Sequence, residues 1–318
     1  MGARLAVVAA MFAGGMVGCG STDPMEAPAP ALGTSVAAVV QVNGREINGR
    51  EINGREINGT EFGSKLASVR YDGAWREGMS TPLEEVWLEG SVFHGLIDSE
   101  ELSGTDFQGM RFTGTLSDGT TLTLRVDGIT QGTGADQDVW SYRVSYQHTG
   151  DGLWYPICRN ADGSAANAIP LENRWDYREG VVGGGSKIYD ASVFTFACEG
   201  AALSKCVRFG YAPWRSVNGV SLEQHHQACT RMVRADFCGN GTSYTVDGNW
   251  VNIYDSLSIQ LDTEAWVPEA EWSADGATCF TSQTRATTPI ACGEKLMPSC
   301  GTSFASKALF ISETPPQP

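Results

Sequence analysis

The sequence predicts an α+β fold, mostly antiparallel β with one principal helix over about residues 221–236, braced by disulfides and preceded by a short β segment of five-residue repeats. Three observations carry this. Apolar and polar residues alternate through Thr120–Asp127 and Trp140–Tyr146, the period of half-buried strands. One stretch, Ser221–Ala235, instead places Leu222, His226, Cys229 and Val233 on a single helical face. Eight cysteines fall between positions 158 and 300.

At the N-terminus, Arg4 is followed by the apolar run Leu5–Phe12 and then by Ala13-Gly14-Gly15-Met16-Val17-Gly18-Cys19. That layout makes residues 1–18 a signal peptide, with a run too short to span a bilayer. Val17 and Gly18 directly before Cys19 resemble a lipobox, although Met16 stands where Leu is usual. The resemblance implies lipidation of Cys19, with acyl chains holding the mature protein to a membrane. Gly20 replaces the Asp that commonly retains lipoproteins on the inner membrane, so the same resemblance points to the outer membrane. Residues 19–38 are then the lipidated cysteine and a Pro/Ala tether containing Pro24, Pro28 and Pro30. The expected location is outside the cytoplasm, lipid-anchored to the cell envelope.

About 280 residues remain beyond the tether, and 42% hydrophobic content over the whole sequence is enough for a sizeable core. The net charge is −15, from 22 basic and 37 acidic residues, with no basic stripe. This argues against a nucleic-acid partner and suits an acidic, soluble surface.

Residues 39–114 form a repeat region. Asn43-Gly-Arg-Glu-Ile47 recurs from Asn48 and from Asn53, then varies from Asn58 to Phe62. A looser version returns as Leu88-x-Gly90, Phe93-x-Gly95, Leu102-x-Gly104, Phe107-x-Gly109 and Phe112-x-Gly114. The spacing resembles pentapeptide repeats, which implies stacked β-helical coils with glycine at the turns. Arg45, Arg50 and Arg55 depart from that family, which favours a small residue there. A disordered product of sequence duplication is the competing reading.

Residues 115–305 form the main domain, followed by a C-terminal tail over 306–318. Beyond the two alternating runs, Val193–Cys198, Val251–Tyr254 and Leu257–Leu261 are expected strands. Ser221 with Gln224 suggests a capping box at the start of the helix, and Gly239 marks its end. With Cys19 lipidated, Cys158, Cys198, Cys206, Cys229, Cys238, Cys279, Cys292 and Cys300 remain. An even count in an oxidising compartment suggests four disulfides, each contributing about 2–4 kcal/mol. Neighbour pairings such as Cys198 with Cys206 are favoured among many connectivities, with the helix clamped at Cys229 and Cys238. No Cys-x2-Cys pair offers a zinc knuckle, and neither a metal nor another cofactor is expected.

The run Cys229-Thr-Arg-Met-Val-Arg-Ala235-Asp236-Phe237-Cys238-Gly239 resembles the signature of the ADYC domain, a family named for Ala-Asp-Tyr-Cys and found in exported proteins of Gram-negative bacteria. Thr195-Phe-Ala-Cys198, Gly210-Tyr211, Pro213-Trp214, His225-His226 and Tyr254-Asp255 agree with it, over roughly residues 110–300. Phe237 replaces the signature tyrosine, so a ring without a hydroxyl suffices there. The resemblance brings no activity with it.

Candidates for chemistry are few. His225 and His226 are adjacent, so their side chains diverge on a helix and are poorly placed to hold one ion together. Packed core histidines are the plainer reading. Asp236 is a candidate general base, against which stands a structural ion pair with Arg231 or Arg234. Gly183-Gly-Gly-Ser186-Lys187 lacks the Walker order and is expected to be a flexible loop. Runs of alternating carboxylates for a calcium loop are missing, while Trp154, Tyr155, Tyr211, Trp214 and Trp250 could line a sugar-binding face or belong to the core. The leading expectation is a non-enzymatic lipoprotein that binds an envelope protein or glycan, or builds envelope structure, with the membrane as a partner through its lipid. The alternative is an envelope hydrolase acting on glycan or peptide through Asp236 with His225 or His226.

Overall fold

The computed structural model describes residues 41–42, 65–160, 162–246, 249–300 and 308–316. The signal segment, Cys19, the tether and the perfect Asn-Gly-Arg-Glu-Ile repeats lie outside the described residues.

The described chain opens with β1 (Gln41–Val42) and β2 (Leu66–Arg70), then forms a meander of β3 (Glu85–Glu89), β4 (Val92–Ile97) and β5 (Glu100–Ser103). Next come β6 (Arg111–Leu116), β7 (Thr121–Gln131), β8 (Trp140–Gln147), β9 (Trp154–Pro156) and β10 (Ala168–Glu172). The ribbon of β11 (Arg174–Trp175) and β12 (Lys187–Ile188) precedes β13 (Val193–Cys198) and α1 (Ala202–Arg208). A hairpin of β14 (Ser216–Val217) and β15 (Val220–Ser221) leads into α2 (Glu223–Val233). Strands β16 (Trp250–Asp255), β17 (Val267–Ser273), β18 (Gly276–Phe280) and β19 (Phe310–Thr314) follow.

Six antiparallel strands close into a barrel in the order β10-β13-β2-β6-β7-β8. Ala168 opposite Tyr142 joins β8 back to β10, and β9 extends from β8. Closure leaves these six strands no free edge to pair with another chain. The alternation of Leu122, Leu124 and Val126 puts one face of β7 inside, as the period of two requires. Aromatic rings fill the barrel core: Phe93 lies 5.3 Å from Phe107, 5.1 Å from Tyr142 and 5.0 Å from Phe194.

Strand β13 reads Val-Phe-Thr-Phe-Ala-Cys and is buried at every position. Phe194, Phe196 and Cys198 join the barrel core, while Ala197 packs with Leu203 and Val207 of α1. Two apolar surroundings explain why this run does not alternate. Beyond α1, the sheet β1-β16-β19-β17-β18 carries α2, and Met232, Phe237, Trp272 and Phe310 lie in a second core.

The eight cysteines form four disulfides: Cys158–Cys198, Cys206–Cys229, Cys238–Cys292 and Cys279–Cys300. The favoured Cys198–Cys206 pairing is therefore wrong. Cys198 points toward the barrel and Cys206 toward α2, because the strand end and the helix face different cores. The clamp on α2 is real but runs outward, to α1 at Cys206 and to the loop at Cys292.

Several other expectations are corrected. The pentads between Leu88 and Gly114 do not stack as coils. Leu88 and Phe93 are direct partners across a tight hairpin whose turn is Gly90 at φ +64°, so a spacing of five arises from antiparallel pairing. Leu257–Leu261 is a turn rather than a strand. The Asp255 carboxylate accepts from the amides of Leu257, Ile259 and Gln260, and bends the chain out of β16. The expected C-terminal tail contains β19, which lies between β16 and β17 and is buried throughout. Its signal was masked by Ser312 and Glu313, polar residues that find partners inside the sheet.

Candidate functional site

Helix α2 begins at Glu223 and stops at Val233, shorter at both ends than its pattern suggested. Its N-cap is Leu222, and Ser221 Oγ accepts from the amide of Glu223 rather than forming a capping box with Gln224. The helix ends well before Gly239. Ala235 takes the left-handed conformation at φ +50°, the Asp236 amide donates to Arg231 O, and the Ala235 amide donates to Met232 O. This is a Schellman close with alanine, the smallest chiral residue, where glycine is usual.

The close places Asp236 back against the helix it has just left. Its carboxylate accepts from Arg231 Nη1 at 2.5 Å, from the Asn240 amide at 3.1 Å and from the Gly241 amide at 2.9 Å. Arg231 also donates to Gly184 O, Ser186 Oγ and Ala274 O. Both side chains are buried, so charge is compensated where water cannot help. Glycines make the cradle possible: a Cβ at Gly184 would strike the Asn240 carbonyl, and one at Gly241 would strike that of Arg178. The Gly183–Lys187 run, expected as a flexible loop, is thus wrapped around Arg231. Phe237 packs against Tyr244, Trp272 and Phe280, apolar surroundings that give a tyrosine hydroxyl no task.

The two histidines go separate ways. His226 Nε2 donates to Leu203 O at 3.0 Å, and its ring meets the edge of Trp175. Burial pushes its pKa down to about 4, against the opposing pull of the Leu203 carbonyl. His225 stacks beside Tyr211 and packs on Phe310, with Nε2 3.5 Å from Ser256 Oγ and Nδ1 buried without a partner. Burial lowers its pKa too, with the Asp255 charge opposing. Among the described hydrogen bonds, none joins Asp236 to either histidine.

One titration follows from His226. Unfolded, it takes up a proton near its ordinary 6.5; folded, only near 4. Acid therefore favours the unfolded chain. Stability is full above pH 6.5 and is expected to fall by roughly 3 kcal/mol on the way to pH 4. In urea unfolding across that range, His226→Gln should flatten the acid limb. An unchanged limb would assign it to other groups.

A cavity of about 140 Å³ opens beside the first turn of α2. Trp175, Lys187, Tyr189, Glu223, Gln224, His226 and Asp275 line it. Lys187 Nζ lies 2.6 Å from Glu223 Oε1, and the ammonium also faces the Tyr189 ring at 5.1 Å and the Trp175 ring at 5.8 Å. Burial opposes ionisation of Glu223, but the hydrogen bond and charge of Lys187 outweigh it and hold the carboxyl below its usual range. Tyr189 is 67% exposed, which is unusual for so large a ring. Two hollows of about 430 Å³, one along Phe280–Ile290 and one by Arg70–Asp72, gather fewer convergent side chains.

A family model for the ADYC domain matches residues 104–286, more than half of the sequence. The chain belongs to the ADYC-domain family. No curated protein and no solved structure matches it. The ADYC match spans β6 to β18, both helices and the Arg231–Asp236 close, so the cavity lies wholly within it. In this ADYC domain the named signature is a structural unit: Ala for the left-handed turn, Asp for the buried pair, an aromatic ring for the core and Cys for the bridge to Cys292.

The aromatics singled out from the sequence share no face. Tyr211 is buried with its hydroxyl on Asp255, Trp214 donates to Asp138, Tyr155 donates to Asp151, Trp154 sits between Arg111 and Arg125, and Trp250 is half-exposed on β16. The aromatics that do meet polar groups in a cavity, Trp175 and Tyr189, were missed. Trp175 lies opposite Lys187 across the β11–β12 ribbon and Tyr189 follows it by two residues, so Lys-x-Tyr after a glycine run was the one local signal.

Proposed function

We propose that this protein is an exported lipoprotein, held to the envelope through Cys19, whose ADYC domain serves as a binding or structural module rather than a hydrolase. The single observation behind this is that Asp236 is saturated: both oxygens are engaged and the side chain is buried. A general base must reach the proton it takes, and this carboxylate is enclosed by the backbone it organises. Four disulfides suit an oxidising compartment and are compatible with export. Among the described residues, no helix is long and apolar enough to cross a membrane; the lipid attachment is proposed from Val17-Gly18-Cys19, which resembles a lipobox.

Two experiments test the parts of this reading. The full chain incubated with isolated envelope should sediment with it and release neither reducing sugar nor free amine. Protein-dependent release of either would replace it with the hydrolase reading. For the anchor, radiolabelled palmitate should enter the wild-type chain and not Cys19→Ala, and globomycin should accumulate the unprocessed form. Normal processing in globomycin would overturn the lipid assignment.

A further inference from the structure

We propose that the cavity at the head of α2 is a binding site for one neutral sugar residue, held between the Tyr189 ring and the Lys187–Glu223 pair. This rests on the binding-module reading above and names its ligand class. Three features support it independently. First, Lys187 Nζ and Glu223 Oε1 stand 2.6 Å apart, a spacing comparable to that between neighbouring hydroxyls of a pyranose. The ammonium donates to one hydroxyl, and the carboxylate accepts from the next. The Lys187 side chain is 12% exposed and that of Glu223 34%, which strengthens such bonds relative to open water.

Second, the cavity supplies an aromatic platform. Tyr189 keeps two thirds of its surface exposed beside the ion pair, and Trp175 forms a deeper wall. The apolar face of a sugar ring buries well against such surfaces, and a rigid ring loses little entropy in presenting it. Third, acceptors outnumber donors in the way hydroxyls require. The Nε2 proton of His226 is committed to Leu203 O, which leaves Nδ1 an acceptor in a ring that lines the cavity. Asp275 adds a further carboxylate, and Gln224 an amide of either sense. With two carboxylates against one lysine that is already paired, an anionic sugar or a free phosphate would meet repulsion. That is why the ligand is assigned as neutral. The floor is rigid: Trp175 Nε1 donates to Gln227 Oε1, and Gln227 Nε2 donates to Gly185 O. Those bonds tie the cavity wall to the glycine run that grips Arg231.

The test is titration of the full chain in detergent with glucose, galactose, mannose, N-acetylglucosamine and the N-acetylglucosaminyl-N-acetylmuramic acid disaccharide. Trp175 is one of nine tryptophans, so the difference in fluorescence between the wild type and Trp175→Phe reports the cavity, and saturation-transfer NMR reports the sugar. At least one neutral sugar should bind saturably, and both Lys187→Met and Tyr189→Ala should weaken it tenfold or more. Tyr189 is exposed and its hydroxyl bonds Glu223 at the surface, so its replacement should leave a cooperative thermal transition, and Tyr189→Phe, which keeps the ring, should retain sugar affinity even if Lys187→Met misfolds. The site assignment falls if no neutral sugar binds, if only the anionic disaccharide binds, or if Tyr189→Ala leaves sugar affinity intact. Retention of envelope sedimentation by Tyr189→Ala, with no sugar bound by either form, would overturn the sugar site while the binding-module reading survives.

Discussion

Replacing Asp236 with Ala should destabilise the protein by about 3–5 kcal/mol, because Arg231 would be left buried and uncompensated. The amides of Asn240 and Gly241 would lose their acceptor in the same step. Guanidinium unfolding of the wild type, Asp236→Ala, Arg231→Met and the double variant gives the measurement. The double variant should lose less than the two singles together, since each single strands the other charge and the double does not. A loss under about 1 kcal/mol for Asp236→Ala would refute the structural role assigned to the signature carboxylate, and with it the argument against catalysis.

The second large effect concerns the bridge from Cys238 to Cys292, which closes a separation of 54 residues. Loop-closure entropy assigns such a crosslink about 4 kcal/mol, against about 3 kcal/mol for Cys206–Cys229, which spans 23 residues. Changing both Cys238 and Cys292 to Ala should therefore lower the unfolding free energy more than the corresponding change at Cys206 and Cys229. Denaturant melts of the two double variants decide the order. Equal or inverted losses would mean that strain or residual unfolded structure, rather than chain entropy, dominates.

What could be read from the sequence follows from how each element meets water. Strands β7 and β8 were plain because each has one face in the barrel and one outside, so polarity alternates. Strand β10 was not, for Pro170 stands in its middle and proline argues against an interior strand. Its pairing with β13 nevertheless places Pro170 opposite Phe196. Strand β2 is only five residues long and carries no pattern of its own. The cysteine count was legible and the connectivity was not, since a bridge records proximity in space and Cys158 is 40 residues from its partner.

The candidate site was half legible. The Ala-Asp-aromatic-Cys run marked the important turn, and the ion-pair reading of Asp236 agrees with the contact to Arg231. What no local pattern revealed is that Lys187 and Glu223, 36 residues apart, would meet over a cavity. That juxtaposition depends on the β11–β12 ribbon folding onto the helix start, a contact between segments whose composition is unremarkable taken separately.

Strand β13 has a consequence for how such a protein can vary. Because its side chains serve the barrel on one side and α1 on the other, it has no surface at which a natural boundary could fall. The barrel cannot be exchanged for another module without removing the wall that the helices lean on. The helical half is equally unable to travel alone, since Cys198 ties the end of that strand to Cys158. Lineages carrying this domain should therefore diversify at its hairpin tips and beside the cavity, and recombine only outside the pair of cores.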